Sequence, residues 1–207
     1  MRTSPAVVVF LCGHYPTMLI TGEVKYSIDM NYNEPKEQAF RALRDCFQRG
    51  GKLLLCGNGG SAADCEHIVA ELMKGMNRLR PVERWDYLQG ALPAISLVSQ
   101  TALTSAIAND IGAEWTFAQQ VYGYGRAGDV LLGISTSGKS PNILRAMEVA
   151  NCLNMQTIGL TGPQTYDFDQ RANIIISCPG GNAAEIQEQH IKIYHELCSR
   201  LEEKFFP

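Results

Sequence analysis

Residues 52–71 read KLLLCGNGGSAADCEHIVAE, and this stretch decides the fold. Leu53, Leu54 and Leu55 form a short continuous apolar run, the mark of a strand covered on both faces. Gly57, Gly59 and Gly60 follow at once, where the chain must turn sharply and leave room beside its backbone. Ser61 reads as the N-cap of a helix that begins at Ala62. The free N–H groups of that helix would face whatever occupies the turn. His67 and Glu71 are four residues apart, so they share a helix face about one turn further on.

Outward from this unit, strands and helices alternate. Upstream, Phe40, Leu43 and Phe47 recur at helical spacing from Pro35, and Gly50 and Gly51 end that helix. Downstream, residues 75–89 are polar and irregular and read as a loop or short helix over the surface. Pro93–Val98 is a second buried strand. Leu103–Ala108 is helical and stops at Asn109-Asp110-Ile111-Gly112; a helix over Glu114–Tyr124 follows, closed by Gly125. Asp129–Ile134 is a third strand, and Pro141 suits the first turn of the helix after it, which runs to about Leu153. Thr157–Leu160 and Asn173–Ser177 are the last two strands, and a long amphipathic helix covers about Ala183–Lys204. This alternation implies an α/β fold with a largely parallel sheet. Ligands of such sheets bind beyond the carboxyl ends of the strands, so the turns at Gly57, Ser135 and Thr161 should meet in one crevice. Residues 1–33 carry no sustained period and read as a loose extension, or as upstream sequence with the start nearer Met18 or Met30; residues 34–207 form the domain.

Composition excludes several classes. A hydrophobic content of 45% supplies a core, and a net charge of −3 without blocks of like charge argues against nucleic acid or an anionic membrane as partner. No apolar run approaches the roughly 20 residues of a spanning helix. The start, MRTSPAVVVFLCGH, imitates a signal peptide but lacks a small-x-small cleavage site. The seven cysteines are odd in number, scattered, and form no C-x-x-C pair, as expected of reduced thiols in a cytoplasmic protein.

Three constellations carry chemistry. The turn Ser135-Thr136-Ser137-Gly138-Lys139-Ser140 presents hydroxyls and N–H groups at a helix start, which suits a phosphate dianion and equally an ordinary capped turn. A second hydroxyl-and-glycine turn, Asn58 to Ser61, on the same sheet edge favours the phosphate reading. Gly57, Gly59 and Ala62 also fit a dinucleotide pattern, but the second strand ends in Ser99-Gln100-Thr101 with no acidic ribose partner. His67 and Glu71 suit a metal, an acid/base pair or a surface ion pair. On the last helix His190 and His195 diverge by about 140°, so one faces away, while Gln187 and His195 lie about 80° and about 12 Å apart, a long reach for one ion.

Taken together, GNGGSAAD at 57–64 with His67 and Glu71, AND at 108–110, GDVLLGISTSGKS at 128–140 and IQEQHIKIYH at 186–195 resemble the sugar isomerase (SIS) domain family, in particular its phosphoheptose isomerases, over about Pro35–Glu203. The resemblance implies a flavodoxin-like three-layer sandwich on a five-stranded parallel sheet, and a homotetramer with sites between subunits. It implies an aldose–ketose isomerase that converts sedoheptulose 7-phosphate into D-glycero-D-manno-heptose 7-phosphate. By this resemblance Ser135, Thr136, Ser137 and Ser140 hold phosphate, and Asn58, Gly59, Gly60, Ser61, Asn109, Asp110 and Gln187 contact the substrate. His67, Glu71, Gln187 and His195 surround zinc, with Glu71 and His195 as acid and base.

The chain departs from the family's pattern at three places. Residues 1–33 do not read as the usual long N-terminal helix. Ala184 stands where an acidic residue often precedes the glutamine, with Glu185 beside it. Gly75 stands where many members carry an arginine, with Lys74 adjacent. Two rival functions are an isomerase of another sugar phosphate, and a non-catalytic SIS module that binds a sugar phosphate or a replication-initiation protein. The quartet His67, Glu71, Gln187 and His195 argues against the second, since a pure binder needs no acid/base pair.

Overall fold

A computed structural model describes residues 33–165 and 167–207. The extension expected over residues 1–33 thus lies outside the described residues, save for Asn33, which opens the first helix. That helix, α1 (Asn33–Gln48), buries Leu43 and Phe47 of the expected stripe together with Ala39 and Cys46, while Phe40 is only partly buried against the same core.

The apolar run forms β1 (Leu53–Gly57), buried at every position. Its side chains alternate between two cores. Leu53 and Leu55 point to one and Leu54 and Cys56 to the other, and each leucine removed from water adds roughly 1.5–3 kcal/mol. Four more strands align parallel with it: β4 (Ala94–Ser96), β5 (Val130–Ser135), β6 (Gln156–Thr161) and β7 (Ile174–Ser177). Their spatial order is β4-β1-β5-β6-β7, with Leu53 opposite both Ala94 and Val130. Renumbered within this sheet, that order is 2-1-3-4-5, the flavodoxin-like arrangement, whose switch point lies between β1 and β5. On one face lie α1, α2 (Gly60–Lys74) and α6 (Ala183–Phe205). On the other lie α4 (Thr116–Tyr124) and α5 (Pro141–Cys152). The expected three-layer sandwich is therefore the observed one.

Two expectations are corrected. Ser61 is not an N-cap: α2 already begins at Gly60, the capping position is Gly59, and Ser61 is buried inside the first turn. Gly59 sits at φ 57°, a left-handed conformation a glycine adopts without a Cβ clash, so the turn closes two residues earlier than a serine cap would allow. Residues 75–80 are the loop expected, but residues 81–89 are neither loop nor helix. Residues 81–89 fold into an antiparallel hairpin, β2 (Pro81–Val82) with β3 (Trp85–Gln89). Its root is Arg80, only 1% exposed, which pairs with the buried Glu202 of α6 and donates to the carbonyls of Leu72 and Glu71 at 2.7 and 3.1 Å. The ion pair cannot be read locally, because Glu202 lies 122 positions away.

Elsewhere the element boundaries move by a few residues. α3 spans Thr101–Asp110, so Asn109 and Asp110 close the helix rather than follow it. A short 3-10 turn, Ala113–Trp115, precedes α4. Gly125 closes α4 as expected, its N–H donating to Val121.

Candidate functional site

Because all five strands are parallel, their carboxyl ends share one edge, and the three turns do converge there. Asn58 in the glycine turn and Asn142 at the start of α5 exchange amide hydrogen bonds of 2.9 and 3.0 Å. Gly162, after β6, donates to the carbonyl of Thr136 at 3.2 Å. The serine turn is thus clasped between the other two, at the switch point.

Within it, the buried Ser135 Oγ lies 3.0 Å from Ser140 Oγ and 3.4 Å from Ser137 Oγ. Gly138 takes φ 64°, and Ser137 accepts from the Lys139 N–H at 3.3 Å. Ser140 occupies the N-cap of α5 but makes no side-chain cap bond, so its hydroxyl is not committed to the helix. Three hydroxyls and a helix N-terminus therefore face one space, an arrangement suited to an anion.

The glycine turn approaches α6 closely. A Cβ on Gly60 would stand 2.4 Å from Gln187 Oε1, so only glycine admits the amide there. Gln187 Nε2 donates to Asp64 at 3.1 Å. Seven residues on, Glu71 and its neighbour His67 meet His195: their ligand atoms lie within 4.8 Å of one another, with His67 Nε2 at 3.1 Å from Glu71 Oε1. The rings of His67 and His195 are edge to face, 5.1 Å apart. Two imidazole nitrogens and a carboxylate oxygen are a donor set that suits zinc.

This geometry follows from α2 and α6 lying side by side and running the same way. Gln187 meets Gly60 and Asp64, Tyr194 and His195 meet His67, and Glu202 meets Met76 and Asn77. The long axial gap between Gln187 and His195 is therefore matched by an equal advance along α2. Gln187 serves the glycine-turn end of α2, while His195 serves the His67–Glu71 end. His190 is fully buried and near enough to Asp64 to feel its charge, but burial dominates and holds its pKa below the usual imidazole range.

Not every expected residue joins the cluster. Asn109 and Asp110 are exposed at the end of α3, which packs on α4 and the 3-10 turn. Asn109 donates to Asp110 at 2.7 Å, and among the described residues neither bonds to the glycine or serine turn. Glu185, beside Ala184, is held in the cap of α6: it accepts from the Gly181 N–H at 2.8 Å and from Asn182 at 2.7 Å.

Two residues of the cluster were not singled out from the sequence. Asp64, 4% exposed, accepts from both Gln187 and Tyr194. Burial raises its pKa, against the opposing hydrogen bond from Gln187. Tyr194 lies 2.9 Å from His67 Nδ1, and burial together with the Asp64 charge pushes its phenol upward. The available signal was spacing: Asp64 precedes His67 by three and Tyr194 follows Gln187 by seven, so each shares a face with a residue already chosen.

Comparison with known proteins agrees with this picture. A family model described as SIS domain matches residues 23–162. A protein of Roseiflexus sp. (strain RS-1) named phosphoheptose isomerase is 39% identical over 196 residues, 92% of this chain and 95% of its own. Phosphoheptose isomerase 1 of Campylobacter jejuni is 44% identical over 163 residues, 79% of this chain and 83% of its own. The structure of phosphoheptose isomerase GmhA from Neisseria gonorrhoeae superposes with a TM-score of 0.73 at 38% identity, over 82% of this chain and 86% of that one.

Proposed function

The chain belongs to the SIS domain family, and on that premise we propose that it is an aldose–ketose isomerase converting sedoheptulose 7-phosphate into D-glycero-D-manno-heptose 7-phosphate. The observation that carries this is a match to phosphoheptose isomerases over 92% of the chain at 39% identity. The site's chemistry is consistent with it. Moving a carbonyl from C2 to C1 requires a proton to leave C1 and arrive at C2 through an enediol, while a second proton passes between the two oxygens.

In this reading Ser135, Thr136, Ser137 and Ser140 hold the phosphate at the N-terminus of α5. Asn58, Gly59, Gly60, Ser61 and Gln187 line the sugar along the start of α2; Asn109 and Asp110, expected to touch it as well, stand outside this cluster at the exposed end of α3. Glu71 takes the proton from C1 and returns it to C2. His195 moves the proton between O1 and O2. His67, Glu71 and His195 would hold zinc, which supplies Lewis-acid polarisation of the sugar oxygens when bound, and Gln187, whose Nε2 is engaged by Asp64, would have only its carbonyl oxygen to offer as the expected fourth ligand. A carboxylate shared with a cation is a weaker base, so the two duties of Glu71 compete at one side chain.

The same reading extends to a homotetramer with sites between subunits. Two exposed surfaces support this. The hairpin leaves Leu79, Trp85, Tyr87 and Leu88 between 55% and 95% exposed, and α3 buries Ile107 alone. A cytoplasmic location is supported by the buried thiols of Cys46, Cys56, Cys65, Cys178 and Cys198. Among the described residues no helix is long and apolar enough to cross a membrane.

The test is turnover of sedoheptulose 7-phosphate by the purified protein with zinc, with a chelator, and as Glu71→Gln and His195→Ala. The expected result is isomerisation lost with chelator and reduced at least about 100-fold in each variant. Turnover on another sugar phosphate alone, or full activity in both variants, would sink the assignment.

A further inference from the structure

Behind the His67–Glu71–His195 cluster lies a buried chain of polar contacts with a direction. It begins at Asp64, 4% exposed and acceptor-only when ionised. Oδ2 receives the Gln187 amide at 3.1 Å, and Oδ1 faces the hydroxyl of Tyr194 at 3.4 Å, with no other donor to Oδ1 among the described residues. A buried carboxylate oxygen without a donor is costly, so the Tyr194 hydroxyl donates inward. Its oxygen then presents only lone pairs outward, toward His67 Nδ1 at 2.9 Å, so Nδ1 must carry the ring proton. This leaves His67 Nε2 bare at 3.1 Å from Glu71 Oε1. Two acceptors facing at that distance are reconciled only by a shared cation or proton.

The packing holds the ring in that orientation. Tyr194, 2% exposed, lies edge to face against His67 at 5.4 Å and against His195 at 4.9 Å. The tyrosine therefore supports both imidazoles while its hydroxyl addresses one of them.

We propose that Asp64 and Tyr194 are positioning residues that fix the proton of His67 on Nδ1, so that Nε2 is offered as a ligand atom beside Glu71 and His195. Neither touches the substrate. The inference rests on the reading of this cluster as a zinc site, and it adds the part that orients it. In a hydrogen-bonded relay of this kind, removing the outer partner of a ligating histidine weakens metal affinity about 10–100-fold.

The experiment uses the full chain with 15N-labelled histidine. Zinc affinity is measured by competition with a chromophoric chelator for the wild type, Tyr194→Phe and Asp64→Asn. Long-range 1H–15N correlation spectra of the zinc-loaded proteins then report which His67 nitrogen is protonated and how fast that proton exchanges. Tyr194→Phe keeps the ring and its edge contacts and deletes only the hydroxyl. Thermal unfolding of the metal-free form is expected to change by no more than a few degrees, which separates positioning from folding. The expected result is a zinc affinity about 10–100-fold weaker in Tyr194→Phe and a His67 Nδ1–H that is slow to exchange in the wild type and fast in the variant. Asp64→Asn supplies a donor where the chain needs an acceptor and should weaken zinc binding comparably.

Unchanged affinity and unchanged exchange in Tyr194→Phe would overturn the proposal, as would a wild type that binds no zinc or carries the His67 proton on Nε2. Sugar turnover enters none of these readouts, so failure of the assigned reaction is read separately from failure of the relay.

Discussion

Arg80→Met tests the part of the structure that is least visible in the sequence. Arg80 donates from Nε to Glu202 Oε1 at 3.0 Å and from its terminal nitrogens to Leu72 O at 2.7 Å, Glu71 O at 3.1 Å and Gly90 O at 3.3 Å, while its guanidinium stacks over Phe206 at 4.4 Å. Methionine fills much of the volume but leaves Glu202 ionised and buried, held by the backbone N–H groups of Met76 and Asn77 at 2.9 and 2.8 Å and of Arg78, with no cation beside it among the described residues. Breaking such a pair from one side costs about 3–5 kcal/mol. The carbonyls of Leu72 and Glu71 each keep a backbone donor, from Leu92 and Gly75, so loss of the guanidinium there adds less than about 1 kcal/mol each. Against a total stability of about 5–15 kcal/mol, this removes a large share. At roughly 2–4 °C per kcal/mol for a chain of this size, melting should fall by about 10 °C or more. The assay is urea and thermal unfolding followed by circular dichroism at one fixed protein concentration, since oligomer stability depends on it. Arg80→Met/Glu202→Leu removes both charges and should recover most of the loss. A loss below about 1 kcal/mol in the single variant, or a double variant no better than the single, would refute the argument.

Gly60→Ala places a methyl group 2.4 Å from Gln187 Oε1. The amide ends a flexible side chain and swings away at little cost in stability, and alanine is the better helix former by about 1 kcal/mol. Melting should therefore hold while kcat/KM for the sugar phosphate falls at least about tenfold; unchanged kcat/KM would show that the Gln187–Asp64 contact is dispensable. Acid unfolding reports on Glu202. Burial opposes its ionisation, but the Met76, Asn77 and Arg78 N–H groups and Arg80 outweigh it and hold the carboxyl below its ordinary value of 4.5. A depressed carboxylate stabilises the fold above that ordinary value, and the contribution is lost as pH falls through the lowered one. Stability of the wild type should thus drop below pH 4.5, and Glu202→Gln should show a flatter acid limb; parallel limbs would refute the assignment.

The strands, the glycine and serine turns, and the flanking helices were legible because each is encoded by near neighbours. Leu53–Leu55 can be buried on both faces only as a central strand, and Pro141 after a run of small hydroxyl residues marks where α5 starts. The true start of α2 was less legible, because Ser61 satisfies the same cap pattern as Gly59 and only the backbone turn at φ 57° distinguishes them. The hairpin was missed because β2 and β3 are short and almost wholly exposed, so no buried alternation marks them.

What the sequence determined by itself is the order of the elements, the parallel sheet they imply, and the two turns that meet at its edge. Periodicity and turn chemistry act over a few residues and leave their mark there. The tertiary structure alone decided that α2 and α6 run side by side in the same direction. That choice brings Glu71 to His195, Asp64 to Tyr194 across 130 positions, and Arg80 to Glu202 across 122. Such pairings depend on which helix faces share one buried layer, and no window of local sequence contains both partners.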